Sequence, residues 1–359
     1  MLRELGEDES KITKFQTGGP DGDLGSNEIL LSKDRTVGIV DGSGVLYDPA
    51  GLNRTELTRL ATRRVMVKDF SRAMLGSGGF LVTIEETDVT LPDGSQWLTG
   101  AELRDNFHLT DFATADLFVP CGGRPNAVTT DNVKKLFTAD GAKPKFRIVV
   151  EGANLFLSDG ARQVLEKAGV HVFKDASTNK GGVNSSSLEV LAALALPVDQ
   201  HSALMCFDPK NGGTPPGFYT EYVQQIQEII IENAAQEFHA IWKANQQQGV
   251  PKVEATKLIS GKITKMQDSI MDTFQKMSEN ERSNLVRQVL SRAVPPVMVR
   301  HLGIDGILKN VPASYITALV SAWIASRFVY KNGINTSEVS FFFFLKSLLT
   351  ADGDPNGAA

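Results

Sequence analysis

Glycines near the start of the chain have the spacing of a dinucleotide-binding turn. The stretch FQTGGPDGDLGSNEILLSKDRTVGIVD, residues 15–41, carries glycines at positions 18, 19, 22 and 25 between a short β-like segment and a short apolar helix. Glycines let a backbone turn tightly and approach a pyrophosphate, which the free N–H groups at the start of a helix can bind. We therefore take Gly19, Gly22 and Gly25 as candidate cofactor-binding residues.

An acidic residue completes this pattern. Asp41 directly follows the apolar residues 37–40 and lies 19 positions after Gly22. A carboxylate at the end of the second strand can accept hydrogen bonds from a ribose 2′-hydroxyl and repel a 2′-phosphate. Asp41 therefore favours NAD over NADP as the cofactor.

Three residues of the turn depart from the dinucleotide fingerprint. If Gly22 and Gly25 are its second and third glycines, the first falls on Pro20, which lacks an N–H group and has a fixed φ. Asp21 and Asp23 bring negative charge near the expected pyrophosphate. A glycine-rich surface loop without a ligand is the alternative interpretation of the same residues.

Short apolar strands alternate with helices along the first half of the chain. DLFVP and FRIVVEGAN read as buried strands, DNVKKLF as a helix, SDGARQVLEKAG as a helix capped by Ser158, and VHVFKDAS as a further strand. This alternation predicts an α/β fold, a Rossmann-like doubly wound parallel sheet followed by an all-helical C-terminal region. Ligands of such sheets bind at the carboxyl ends of the strands, here residues 41, 120–121, 151–154 and 175–179.

The predicted domain organisation has three parts. Residues 1–195 form an NAD-binding Rossmann-like domain, with a β-insertion at about 80–98 around a Pro-Asp-Gly turn. Residues 196–350 form a helical region in which apolar residues recur every three or four positions. The tail at 351–359, ADGDPNGAA, is expected to be disordered.

Composition excludes several function classes. The 359 residues are 42% hydrophobic and 22% charged with a net charge of −5, which argues against a nucleic-acid or anionic-membrane binder. The residues contain no secretory signal and no apolar run of the roughly 20 residues that span a bilayer. Cys121 and Cys206 form no disulfide framework, which indicates a reducing intracellular compartment, cytoplasmic or mitochondrial. The five scattered histidines predict no metal site.

Four blocks in the same order resemble the coenzyme half of amino-acid dehydrogenases of the glutamate dehydrogenase type, and most closely the large NAD-specific enzymes of fungi. The blocks are GGPDGDLGSNEIL, VGIVDGSGVLYDPAGL, DLFVPCGGRPNAVT and the long segment from FRIVVEGAN to SSSLEVLA. They lie between residues 12 and 195, and the helical remainder also resembles the C-terminal region of that class.

The resemblance implies roles for individual residues. Gly22 and Gly25 would hold the pyrophosphate turn, with Asp41 at the adenosine ribose. Asn154 of EGAN would lie beside the nicotinamide ribose, and Asn179 of NKGGV would contact the carboxamide. Ser186 matches a position that helps to hold the substrate side chain.

The resemblance further implies NAD-dependent oxidative deamination of L-glutamate to 2-oxoglutarate and ammonium by a homo-oligomer. Related enzymes carry an active lysine, a second substrate lysine and a catalytic aspartate in a domain that precedes the coenzyme half. No lysine here has that glycine-rich setting, so we assign no catalytic residue and expect the chain to be the C-terminal coenzyme-binding part of a longer enzyme, inactive alone. The alternatives are a leucine or phenylalanine type of dehydrogenase and a non-catalytic scaffold or regulatory module.

Overall fold

The computed structural model describes residues 1–208 and 212–350. Packing divides the chain into two compact units, Met1–Asn179 and Lys180–Ala359. The helix Gly181–Ala195, which the sequence analysis placed in the first domain, lies in the second unit. The tail predicted to be disordered, 351–359, lies outside the described residues.

The first unit is built on a seven-stranded mixed sheet. In chain order its strands are β1 (Thr13–Thr17), β2 (Arg35–Asp41), β3 (Gly44–Tyr47), β4 (Phe80–Thr83), β7 (Leu117–Pro120), β8 (Ile148–Val150) and β9 (His171–Phe173), and the hairpin strands β5 (Thr87–Thr90) and β6 (Gln96–Thr99) form a separate ribbon.

The order of the strands in the sheet is β4-β3-β2-β1-β7-β8-β9. Five neighbouring strands, β2, β1, β7, β8 and β9, run parallel to one another. The strands β3 and β4 are antiparallel additions at one edge. The chain leaves β1 towards β2 on one side and returns on the other side as β7. This reversal is the topological switch point, where α/β sheets open a crevice for ligands. The predicted α/β fold class with a helical C-terminal region is confirmed.

The helices of the first unit begin largely where the sequence predicts. They are α1 (Asp23–Leu31), α2 (Arg54–Arg63), α3 (Gly100–Asn106), α4 (Asp159–Lys167) and the short α5 (Asp175–Thr178). The Ser158 hydroxyl accepts a hydrogen bond from the Ala161 N–H, which confirms it as the cap of α4. The helix predicted for DNVKKLF is wrong, because only the 3-10 turn Val133–Leu136 forms there and Phe137 is already extended.

The predicted β-insertion has two components. Phe80–Thr83 pairs with β3 and becomes the edge strand of the main sheet, whereas β5 and β6 form the hairpin. Gly94 adopts a φ of +83° in the turn between the hairpin strands, as the Pro-Asp-Gly sequence predicts.

A buried ion pair anchors the loop after β8. Arg162 of α4 is 1% exposed, and its guanidinium donates to both carboxylate oxygens of Glu151, which is fully buried. The two N–O distances are 2.7 and 3.0 Å. Burial raises the pKa of Glu151 above its ordinary value, while the hydrogen bond from Arg162 opposes that shift.

The second unit contains helices throughout its described residues. They are α6 (Gly181–Ala195), α7 (Val198–Met205), α8 (Gly217–Gln248), α9 (Lys252–Lys276), α10 (Glu279–Ala293), α11 (Pro296–Asn310), α12 (Ala313–Asn332) and α13 (Glu338–Thr350). Their apolar faces share one core, which includes the fully buried Leu191, Val289, Val320 and Ile324.

The Glu151–Arg162 pair generates a stability prediction. Replacing the guanidinium in Arg162→Met leaves the buried Glu151 charge uncompensated, which should lower the unfolding free energy by about 3–5 kcal/mol at neutral pH. Because the pKa of Glu151 is already raised by burial, and rises further without its partner, acidification protonates the folded state first. The difference in unfolding free energy between wild type and Arg162→Met should therefore become smaller as the pH is lowered from 7 to 5. Urea unfolding at several pH values measures it.

The double variant Glu151→Gln/Arg162→Met is the matched control. It removes both charges, so it should recover part of the lost stability. A double variant as unstable as Arg162→Met would show that the unpaired charge is not the cause.

Candidate functional site

The carboxyl ends of β1, β2 and β7 are tied together by backbone hydrogen bonds. The Thr17 carbonyl accepts from the N–H groups of Cys121 and Gly122, at 2.6 and 2.9 Å, and the Gly18 N–H donates to the Val40 carbonyl at 2.7 Å. Gly18 has a φ of +88°, and a Cβ there would lie 2.5 Å from the Gly122 nitrogen. Gly18 therefore both turns the chain and lets two loops meet backbone to backbone.

This geometry corrects the alignment of the fingerprint. With Gly22 and Gly25 as the second and third glycines, the first position of the fingerprint falls on Pro20. In the structure, the residue that makes the tight turn after β1 is Gly18. The Gly22 N–H donates to the Gly19 carbonyl at 3.2 Å, so Pro20 occupies the second position of a β-turn, where its fixed φ is favourable. Pro20 is therefore compatible with the loop.

Gly25 allows α1 to begin directly against the turn. A Cβ on Gly25 would lie 2.2 Å from the Gly19 oxygen and 2.7 Å from the Gly18 oxygen. Gly22 is the N-cap of α1, and a Cβ there would have its nearest neighbour at 3.6 Å. The first N–H groups of α1 have no partner within the helix and can bind an anion.

Asp41 lies at the end of β2 and is 6% exposed. Its Oδ1 accepts from the N–H and hydroxyl of Ser43, at 2.8 and 2.7 Å, and its Oδ2 accepts from the Val67 N–H at 2.7 Å. Burial raises the pKa of Asp41, and the neighbouring charge of Asp21 adds to the shift, while these hydrogen bonds oppose it. A Cβ on Gly19 would lie 2.3 Å from Oδ2, so the glycine turn and this carboxylate are in direct contact.

These residues line one cleft of about 750 Å³ in the first unit. The predicted residues Gly19, Gly22, Gly25 and Asp41 all contribute to its wall. A cradle of glycines without Cβ atoms, a helix start and a carboxylate at the next strand match the pyrophosphate and ribose of a dinucleotide. The residues present therefore fit such a group.

Asp23 of the turn and Asp105 of the cleft wall have cationic neighbours. Asp23 pairs with Arg64 at 2.7 Å, and in the cleft wall Asp105 pairs with Arg104 at 2.9 Å and with Arg124 at 3.4 Å. The side chain of Arg124 is 77% exposed and available to an anionic ligand. The ion pair with Arg64 reduces the negative field that Asp23 would otherwise present to a pyrophosphate.

Asn154 and Asn179 meet beside each other in the first unit. The Asn179 amide donates to the Asn154 side-chain oxygen at 2.5 Å and to the Gly152 carbonyl at 3.1 Å. They follow β8 and β9, and the loop of Asn154 adjoins the cleft because the Ala153 N–H donates to the Pro120 carbonyl at 2.6 Å. The structure thus brings these two predicted residues together, although neither is part of the cleft wall.

Ser186 belongs to α6 of the second unit, where its hydroxyl donates to the Gly182 carbonyl at 2.8 Å. Lys180, which precedes this helix, forms an ion pair of 2.5 Å with Glu237, and Glu237 is 2% exposed. Glu237 also accepts a hydrogen bond from the Tyr330 hydroxyl at 2.7 Å. Lys180 is therefore held by a buried carboxylate within the second unit.

Sequence reasoning missed Arg104, Arg124 and His108 in the cleft wall. Arg124 follows a strand end in the CGGRPNAVT block, and that position could have identified it. Arg104 and His108 belong to α3 and the turn after it, and they reach the cleft only through tertiary packing. Burial lowers the pKa of His108 to about 4, so its imidazole is neutral at pH 7.

Cys121 also lies in the cleft wall, where burial raises the pKa of its thiol to about 12. The thiol is therefore protonated at neutral pH and a poor nucleophile. Across residues 1–208 and 212–350, no three His, Cys, Asp or Glu side chains come together as metal ligands. Over the same ranges, no helix has the length and apolar character needed to cross a membrane.

The contrast between Gly25 and Gly22 gives a steric prediction. Gly25→Ala forces a Cβ into two carbonyl oxygens, so we expect a loss of about 1–3 kcal/mol of unfolding free energy. Gly22→Ala in the same turn meets only an ordinary van der Waals contact. Apart from the small preference of an N-cap for glycine over alanine, it should change the unfolding free energy by about 0.5 kcal/mol or less. Thermal unfolding of both variants measures the difference, and equal losses would contradict the close approach.

His108 should contribute a pH dependence to stability. Its folded pKa of about 4 lies below the ordinary value of 6.5, so an unfolded chain takes up a proton at pH 5 that the folded chain does not. Between pH 7.5 and pH 5 this one residue should remove about 2 kcal/mol of stability. His108→Gln should show a smaller loss than wild type over that interval in urea unfolding, and an equal loss would contradict the buried neutral imidazole.

Comparison with known proteins adds to this geometry. The family model described as Glutamate/Leucine/Phenylalanine/Valine dehydrogenase matches residues 1–249. Glutamate dehydrogenase 2 of Dictyostelium discoideum is 48% identical over 97% of this chain and 32% of its own length. The NAD-specific glutamate dehydrogenase of Neurospora crassa is 45% identical, covering 96% of this chain and 32% of its own length.

The chain spans about a third of the length of the curated relatives that it matches. The crystal structure of Plasmodium falciparum glutamate dehydrogenase aligns with 70% of this chain and 44% of that one, with a TM-score of 0.43 and 16% identity, a similarity too distant to bear on individual residues. The family model covers more than half of the chain, from the first residue to just past the end of α8. The chain therefore belongs to the Glutamate/Leucine/Phenylalanine/Valine dehydrogenase family.

Proposed function

We propose that the chain binds NAD in the cleft of its first unit and supplies the coenzyme-binding part of an enzyme that oxidatively deaminates L-glutamate to 2-oxoglutarate and ammonium. One observation carries the coenzyme part of this proposal: the glycine turn, the start of α1 and Asp41 line the same cleft at the β1–β7 switch point. The names of the relatives from Neurospora crassa and Saccharomyces cerevisiae, both NAD-specific glutamate dehydrogenases, support the choice of NAD and of glutamate.

In this proposal the residues of the cleft, and two asparagines beside it, each have a defined role. The N–H groups at the start of α1 bind the pyrophosphate, and Gly19 and Gly25 keep the approach free of side chains. Asp41 accepts hydrogen bonds from the adenosine ribose, and its three protein hydrogen bonds keep the carboxylate in place. Asn154 and Asn179, already hydrogen-bonded to each other, serve the nicotinamide ribose and carboxamide.

When bound in this cleft, NAD would supply the hydride acceptor for oxidation at Cα of the amino acid. The remaining chemistry needs a lysine of lowered pKa and a carboxylate that moves protons. Among the described residues no lysine lines the cleft. We therefore assign these groups to another part of the homo-oligomeric parent enzyme, and Ser186 to the side chain of the substrate.

Coenzyme selectivity tests this proposal. The full chain should bind NADH saturably and more tightly than NADPH in calorimetric titrations. Asp41→Asn removes the charge that repels a 2′-phosphate, so NADH affinity should fall about tenfold or more and the preference over NADPH should narrow. Incubation of the chain with glutamate and NAD should give no turnover.

Asp48→Asn is the matched control for this substitution. Asp48 is 2% exposed and also accepts two backbone N–H bonds, from Ala50 and Gly76, but it lies outside the cleft wall. Its variant should keep the NADH preference. Absence of binding to either nucleotide would instead favour a scaffold function for the sheet, and turnover by the chain alone would refute the assignment of catalysis elsewhere.

The family model leaves leucine, phenylalanine and valine as further substrate classes. A substrate screen on the full-length parent separates these from glutamate. Oxidation of leucine or phenylalanine in preference to glutamate would overturn the substrate half of the proposal and leave the coenzyme half intact.

A further inference from the structure

Leu155 has an unfavourable backbone conformation, and no burial of its side chain compensates for it. Its φ is +57°, a left-handed conformation that branched and bulky side chains avoid. Its side chain is 53% exposed, so burial does not offset the unfavourable backbone. A leucine that neither fits its backbone nor joins the core calls for another explanation.

The conformation is fixed by neighbours on both sides. The Leu155 N–H donates to Oδ2 of Asp175, which is 5% exposed, at 2.7 Å. The Leu155 carbonyl accepts from the Asn126 N–H at 2.7 Å, and Asn126 has itself a φ of +56°. Two left-handed residues, one after β7 and one after β8, therefore hold each other in place.

This pair adjoins the cleft of the first unit, although Leu155 itself is not part of the cleft wall. Asn126 and Phe156, the hydrogen-bond partner and the next residue of Leu155, both belong to the cleft wall. The strand β8 that precedes Leu155 is three positions from β2 in the sheet, or about 14 Å at the usual strand spacing. With the adenosine ribose at Asp41 and the pyrophosphate at β1, the other half of a dinucleotide extends towards β7 and β8.

We propose that the exposed Leu155 side chain forms an apolar contact surface for the nicotinamide ring of the coenzyme, and that its left-handed backbone is retained for this contact. The inference rests on the proposed coenzyme function. A turn that served only the chain would be built more favourably with glycine or asparagine, which tolerate this conformation. The leucine side chain is what those residues lack.

Three substitutions separate the side chain from the backbone. Leu155→Gly and Leu155→Asn relieve the left-handed strain and remove the apolar group, and Leu155→Met keeps an apolar group of similar size. NADH and ADP-ribose are the probes, because ADP-ribose has the adenosine and pyrophosphate groups but lacks the nicotinamide. Titration calorimetry of the full chain gives both affinities, and thermal unfolding gives stability.

The glycine and asparagine variants should raise Tm by about 2–4 °C, because strain is removed. Their Kd for NADH should nevertheless rise roughly 5- to 30-fold, while their Kd for ADP-ribose stays at the wild-type value. Leu155→Met should retain NADH binding. A variant that becomes more stable while losing one ligand selectively is not expected from a purely structural residue.

Asp88→Gly is the control for strain relief alone. Asp88 is an exposed residue of β5 with a φ of +52°, away from the cleft wall. Its variant should gain stability in the same way and bind both ligands as wild type does. An unchanged NADH affinity in the Leu155→Gly chain, or equal losses for NADH and ADP-ribose, would overturn the contact. A wild-type chain that binds neither ligand would overturn the coenzyme function itself.

Discussion

The first unit depends on a close backbone contact between two loops. Gly18 and Gly122 meet without side chains between them, and the Thr17 carbonyl accepts two N–H groups from the loop after β7. This contact brings the carboxyl ends of three strands to one place. The glycine turn, the start of α1 and Asp41 surround a common cleft because Gly18 and Gly122 lack the Cβ atoms that would keep the two loops apart.

Buried charges around this junction are each compensated locally. Glu151 faces Arg162, and Asp41 is held by three hydrogen bonds from Ser43 and Val67. Lys14 on β1 is fully buried between Glu28 and Asp34, each at 2.9 Å. Charges that are paired in the interior specify one arrangement, because any displacement leaves an uncompensated charge. Loops that carry no regular structure can in this way hold defined positions.

Local signals were enough to predict much of the fold. The strands before Asp41 and Cys121, the Ser158 cap and the alternation of strands with helices follow from periodicity and end signals. The sequence could not show that Gly18, and not position 20, makes the tight turn, because adjacent glycines satisfy the pattern equally well. It also could not place Arg104 or His108 in the cleft, since they reach it through the packing of α3. The helix predicted for DNVKKLF failed because seven residues of suitable composition do not overcome the cost of helix nucleation without a packed face.

The position of β7 in the sheet has a consequence for how the cleft arises during folding. Thr13 at the start of β1 bonds to Asp116, just before β7, across a separation of 103 residues, whereas β2, β3 and β4 are neighbours both in space and in chain order. Closing so long a loop carries a larger entropy cost than forming the local antiparallel strands, and contacts of this kind slow folding. The ligand cleft lies on the long-range side of the sheet, so it exists only once that loop has closed. Any ligand specific for the cleft binds only chains in which the sheet is complete. By mass action, such a ligand increases the population of fully folded chains at the expense of partly folded ones.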